Sequence, residues 1–263
     1  GGDTHAALIA LAAATVAIVG WGVGAWIFGI PTSESHALIA GLTGAALAVS
    51  GGFGGVNMGE WAKVIYGLVL STVLGYAAGW AIAKVIPILC RNADRRRAND
   101  FFGHMQVLGA AGVALMHGAQ DGQKFMSTAM MAIILATGST NMANVEFPLW
   151  IMVLCAGIMA IGTAVGGKKI IKTVGMNMVR LDKYQGFAAS ISATASLLIA
   201  TLTGLPVSTT HTKTAAIMGA GAAENVRSVN WAIAKDMVFT WVFTFPGCGF
   251  IGYVLARLFL LVV

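Results

Sequence analysis

Eight stretches of this chain, at 6–30, 37–59, 64–83, 101–120, 125–145, 147–167, 184–212 and 237–256, each run for ~20 residues or more without a charged side chain. A hydrocarbon layer about 30 Å thick is crossed by ~20 apolar residues in helical form. Inside that layer each backbone N–H and C=O must find its partner within the protein, which leaves the helix as the form of each run. The expected fold is therefore all-α: a polytopic helical membrane protein of roughly seven to nine membrane elements.

Composition agrees. The chain has 16 basic and 10 acidic side chains among 263 residues, and 57% of its residues are hydrophobic. A water-soluble domain carries about 25% charged residues, so a soluble enzyme, a nucleic-acid binder and a disordered chain are all excluded. The net charge of +6 reads as basic loops at a membrane face and not as a nucleic-acid footprint. Two such segments stand out: Arg91, Arg95, Arg96 and Arg97, then Lys168, Lys169, Lys172, Arg180 and Lys183. Three uncharged runs lie between them, an odd number for two segments on one face, so either one run is broken or re-entrant or one basic segment is an exception, and the orientation stays open. The stretch 168–183 reads either as an amphipathic interfacial helix or as a solvated loop. Cys90, Cys155 and Cys248 are odd in number and widely spaced, which gives no disulfide or zinc framework.

The chain repeats itself. Residues 29–36 read Gly-Ile-Pro-Thr-Ser-Glu-Ser-His, and 175 residues later 204–211 read Gly-Leu-Pro-Val-Ser-Thr-Thr-His. Pro31 and Pro206 disfavour helix before them. Ser33 and Ser208 are placed to cap the helix that starts next. A helix start presents free N–H groups and the positive end of its dipole, which suits an anion. Broken helices at matching places in two halves point to the substrate site of a transporter.

A second polar feature interrupts the apolar pattern. Residues 116–126 read Met-His-Gly-Ala-Gln-Asp-Gly-Gln-Lys-Phe-Met. Asp121 and Lys124 are three apart, and a helix would set them on one face. Gly118 and Gly122 would permit local unwinding. Ionisable groups at membrane depth are costly and mark function. Asp121 is the candidate for a cation or a proton, and Lys124 for pairing with Asp121 or facing an anion. Glu34 is ambiguous: beside an anion site its charge repels substrate unless it holds a proton or a cation.

These motifs resemble the inorganic phosphate transporter (PiT) family across almost the whole chain. In that family each inverted repeat holds a Pro-x-Ser-x-Thr-His type element, like 31–36 and 206–211 here. Two further segments carry a Gly-Ala-Asn-Asp type signature, and 117–124 resembles the second of these. Two departures are Gln120 where Asn is usual and Glu34 where Thr is common. The first Gly-Ala-Asn-Asp type segment is not in the sequence, which begins Gly1-Gly2-Asp3 without Met, so the expectation is a member lacking its N-terminal span or spans. The organisation expected is a first, N-truncated repeat over 1–90 with its broken helix at 29–36, a basic loop over 91–100, and a second repeat over 101–263 holding the signature and the broken helix at 204–211.

The resemblance implies a secondary transporter that moves inorganic phosphate across a membrane in symport with sodium or protons, from a site between the repeats. It is not an enzyme and needs no cofactor beyond the coupling ion. Ser33, Ser35, Ser208, Thr209 and Thr210, with Gln120 and Gln123, would hold phosphate. Asp121 and Glu34 would serve cation or proton coupling, with any sodium at Asp121. Lys124, His36 and His211 are secondary candidates, since a His after a cap can bond its own helix start. Lipid and further copies of the chain are the other expected partners, and the expected location is the plasma (inner) membrane. Three rival readings remain: a carrier of another oxyanion such as sulfate, a non-transporting membrane fragment, and an integral membrane enzyme using Asp121 and His117 as acid and base.

Overall fold

The computed structural model describes residues 4–138 and 147–262. Helix dominates, and among the described residues no strand forms beyond an isolated antiparallel bridge between Val179 and Val229. Among the described residues eight α-helices follow one another: α1 (Thr4–Ile27), α2 (Glu34–Ser50), α3 (Met58–Leu89), α4 (Arg95–Thr137), α5 (Leu149–Ile171), α6 (Lys183–Leu202), α7 (Thr209–Ala222) and α8 (Trp231–Val262). Among the described residues five segments are long and apolar enough to cross a bilayer: α1, α3, Leu149–Met178, α6 and α8. At 1.5 Å per residue, α2 with 17 residues and α7 with 14 reach only about 26 and 21 Å, short of a full crossing. The chain is an all-α, polytopic helical membrane protein in which the two repeated elements produce broken helices.

Two expectations are corrected. The runs 101–120 and 125–145 are not separate spans: α4 passes unbroken through both up to Thr137, a length of about 64 Å. Gly118 and Gly122 do not unwind it, because a lone glycine weakens a helix by about 1 kcal/mol and the flanking apolar turns outweigh that. The end of the second run, 139–145, lies outside the described residues. The stretch 168–183 is neither one interfacial helix nor a plain loop. α5 continues through Lys168 and Lys169 to Ile171, a wider π-helical turn covers Lys172–Met178, and Val179 then pairs with Val229.

The chain forms two compact units, each drawn from separate parts of the sequence. Unit 1 comprises Gly1–Met58, Asp121–Lys168 and Met237–Val263; unit 2 comprises Gly59–Gln120 and Lys169–Asp236. Within unit 1, α2 packs on α1 and on α8. Gly44 approaches α8 so closely that a β-carbon there would strike the carbonyl oxygen of Gly249, and Gly41 meets Gly252. The Cys248 thiol donates to the Ala37 carbonyl at 3.2 Å. Unit 2 repeats this packing with α7 in place of α2 and α3 in place of α8. Gly219 meets the carbonyl of Tyr76, Ala216 meets Gly79, and Thr212 meets Gly75. Each α7 residue stands 175 positions after its α2 counterpart, and each α3 residue 173 before its α8 counterpart. The repeat is therefore copied in packing as well as in sequence. Small residues suit it, because close backbone approach is how helices gain contact where lipid offers no hydrophobic drive.

Candidate substrate site

The two broken helices are built alike. Two residues past the end of α1 stands Gly29 with φ 69°, and two past the end of α6 stands Gly204 with φ 65°, a left-handed turn that glycine adopts without strain. The N–H of Ile30 donates to Ala25 O at 2.9 Å, and that of Leu205 to Ala200 O at 3.0 Å, closing the last turn of each helix. Pro31 and Pro206 then prevent immediate re-entry into helix. Ser33 and Ser208 follow with extended backbone, φ −99° and −96°, and cap the next helix as the spacing predicts. Their hydroxyl oxygens accept the backbone N–H of His36 at 3.4 Å and of His211 at 3.2 Å. The histidines thus bond their helix starts through the main chain. The His36 ring lies 4.8 Å from that of Phe245, and His211 is wholly buried.

In unit 1 the start of α2 meets the middle of α4. The Lys124 ammonium donates to Asp121 Oδ1 at 3.0 Å and to Ser35 Oγ at 2.5 Å. Asp121 is buried, and the Lys124 side chain is 23% exposed, which leaves the pair partly reachable from water. Ser33 and Ser35 are also buried. The Glu34 carboxylate turns to α1, and a β-carbon on Gly22 would stand 3.1 Å from its Oε1. Thr32, which the sequence motifs do not single out, accepts the Trp21 indole N–H at 3.2 Å and lies 3.2 Å from the Thr244 hydroxyl. A hydroxyl beside Pro31 was its only signal, and the matching position in the second copy is Val207.

In unit 2, Ser208 and Thr209 are buried and Thr210 is half-buried at the start of α7. The Gln120 amide donates to the Thr201 hydroxyl of α6 at 2.7 Å. Thr201 gave no motif signal, and only the packing of α4 on α6 selects it. Gln123 is exposed, unlike Gln120 and Asp121. Metal-type clusters of three or more His, Cys, Asp and Glu are absent among the described residues.

The capped helix start thus occurs twice, and a partly buried Asp121–Lys124 pair lies beside its first copy. A family model described as the phosphate transporter family matches residues 3–252. The chain belongs to the phosphate transporter family. This is a family of transporters and not of enzymes. A probable low-affinity inorganic phosphate transporter of Bacillus subtilis is 37% identical over 238 residues, covering 90% of this chain and 71% of the relative. A protein of the same description from Rhizobium meliloti is 35% identical over 240 residues, with 91% and 71% covered. Among solved structures, one described as the sodium-dependent phosphate transporter aligns with a TM-score of 0.87 at 20% identity, covering 99% of this chain and 82% of that one. At that identity the structural match speaks for the fold.

Proposed function

We propose that this phosphate transporter family member is a secondary transporter that carries inorganic phosphate across the plasma (inner) membrane in symport with a cation. The observation that carries this reading is the duplicated helix start: the same glycine turn, proline break and serine cap occur at 29–36 and at 204–211. Each start supplies dipole, free N–H groups and hydroxyl donors to an oxyanion. Ser33 and Ser35 act at the first, and Ser208, Thr209 and Thr210 at the second. Gln120 contributes its amide, and Gln123 is assigned to substrate only through its exposed side chain.

Phosphate near neutral pH carries between one and two negative charges, so buried carboxylates must be compensated before it can approach. Asp121 and Glu34 carry the negative charge on which cation or proton coupling depends. Cation and phosphate then each bind better when the other is present, and a transporter so coupled moves both together. The named relatives, described as inorganic phosphate transporters, support the substrate. The structural neighbour, described as sodium-dependent, supports a coupling ion.

The test is uptake of radioactive phosphate into liposomes holding the purified chain, under an imposed cation gradient. Asp121→Asn abolishes gradient-driven uptake if the reading is right, and full uptake in that variant removes Asp121 from the mechanism. Sulfate in tenfold excess leaves phosphate uptake intact, whereas strong competition would favour a general oxyanion carrier.

A further inference from the structure

Among the described residues of unit 1, the acidic side chains are Asp121 and Glu34. A carboxylate at membrane depth needs a positive partner. At Asp121 the protein supplies its own: the Lys124 ammonium, 3.0 Å from Oδ1 and 2.5 Å from the Ser35 hydroxyl oxygen. This placement is built in at two levels. Lysine follows aspartate by three residues on a helix that does not unwind, which fixes both side chains on one face. The α2–α4 packing then brings Ser35 to the same ammonium.

A carboxylate oxygen and a hydroxyl oxygen are also the ligands a sodium ion would take from this place. An ammonium and a sodium ion are both compact, strongly hydrated monovalent cations. A second cation drawn to Asp121 would have to displace Lys124 or lie against it, like charge to like charge. We infer that Lys124 is a resident cation that occupies the position of a free monovalent metal ion at Asp121, so that phosphate binding by this chain requires no sodium there. The inference rests on the proposed phosphate reading and deepens it by assigning the charge compensation to a side chain.

Two consequences follow from the chemistry. The Asp121–Lys124 pair is neutral, so it does not repel phosphate. Ser35 spends an acceptor lone pair on Lys124 and keeps its O–H to donate to a phosphate oxygen. A tethered ammonium cannot leave with the substrate, so Lys124 compensates charge without being carried. The transported cation is then a proton taken up elsewhere, and Glu34 is the remaining acidic group at this helix start.

The experiment uses the full chain in two measurements. Binding of radioactive sodium is measured without phosphate. Phosphate uptake is measured in liposomes in sodium and in choline medium at one pH. The wild-type chain is expected to bind no sodium and to take up phosphate at rates equal within twofold in the two media. K124Q, which keeps length and polarity but not charge, is expected to bind sodium, to lose at least tenfold of its uptake in choline, and to regain it in sodium. K124R, which keeps the charge, binds no sodium. Sodium binding to the wild-type chain that D121N abolishes would overturn the inference, as would a folded K124Q that binds no sodium. Absence of phosphate uptake by the wild-type chain in both media would overturn the phosphate reading, while the sodium binding still decides the role of Lys124.

Discussion

The ammonium of Lys124 stands 2.5 Å from the hydroxyl oxygen of Ser35, tying the middle of α4 to the start of α2. A hydrogen bond to a charged group in a partly buried place contributes about 1.5–3 kcal/mol. Ser35→Ala removes both that acceptor and a proposed phosphate donor. The expected result is a rise of about tenfold or more in the phosphate concentration for half-maximal uptake, since 1.4 kcal/mol corresponds to a factor of ten. Ser35→Thr retains the hydroxyl and is expected to stay within about threefold of the wild type, a difference of well under 1.4 kcal/mol. An Ala variant with unchanged concentration dependence would remove Ser35 from the site.

Ser208 is both a wholly buried cap and a proposed substrate ligand. Aspartate caps a helix about as well as serine at an exposed start, but here it buries a negative charge where phosphate should bind. Ser208→Asp is expected to lose uptake and to lower the thermal unfolding midpoint in detergent. Ser208→Ala is expected to lower stability by about 1 kcal/mol. If Ser208→Asp transports normally, the start of α7 is structural only.

The glycine contacts of the two units should fail alike. A β-carbon at Gly44 meets the Gly249 carbonyl, and one at Gly219 meets the Tyr76 carbonyl. Backbone cannot move aside as the end of a side chain can, so Gly44→Ala and Gly219→Ala are each expected to cost about 1–3 kcal/mol or more. Gly20, in α1, has nothing within 4 Å of a β-carbon, and Gly20→Ala is expected to be neutral or to stabilise by about 0.5–1 kcal/mol. Equal midpoints for all three variants would mean that the close packing of α2 and α7 is not tight in the membrane protein.

Gln120 depends on Thr201. Thr201→Val keeps the shape but removes the acceptor at 2.7 Å, leaving a buried amide unsatisfied at a cost of about 1–3 kcal/mol. Thr201→Ser should restore the bond and the stability. A Val variant as stable as the wild type would show that the Gln120 amide finds another partner.

Much of this was legible in the sequence because it is local. Uncharged runs set the helices, and Gly29, Pro31 and Ser33, copied as Gly204, Pro206 and Ser208, set the breaks. Glycine turn, proline break and serine cap each act within a few residues, so spacing alone predicts them. The offset of 175 residues also carried over to the packing, where Gly44 and Gly219 take equivalent places. The course of α4 was not legible. Asp121 and Lys124 look like a gap between two spans when hydropathy alone is read, and only the cooperativity of a long helix carries it through them.

What the sequence determined by itself was the class of fold, the two broken helices and the residue types at their starts, all consequences of burial in lipid and of backbone sterics. What only the tertiary structure decided was which polar groups meet: Ser35 with Lys124, and Thr201 with Gln120. Those choices depend on contacts between helices far apart in the chain. No short-range periodicity encodes them, because each pairs side chains 81 or 89 positions apart in the chain.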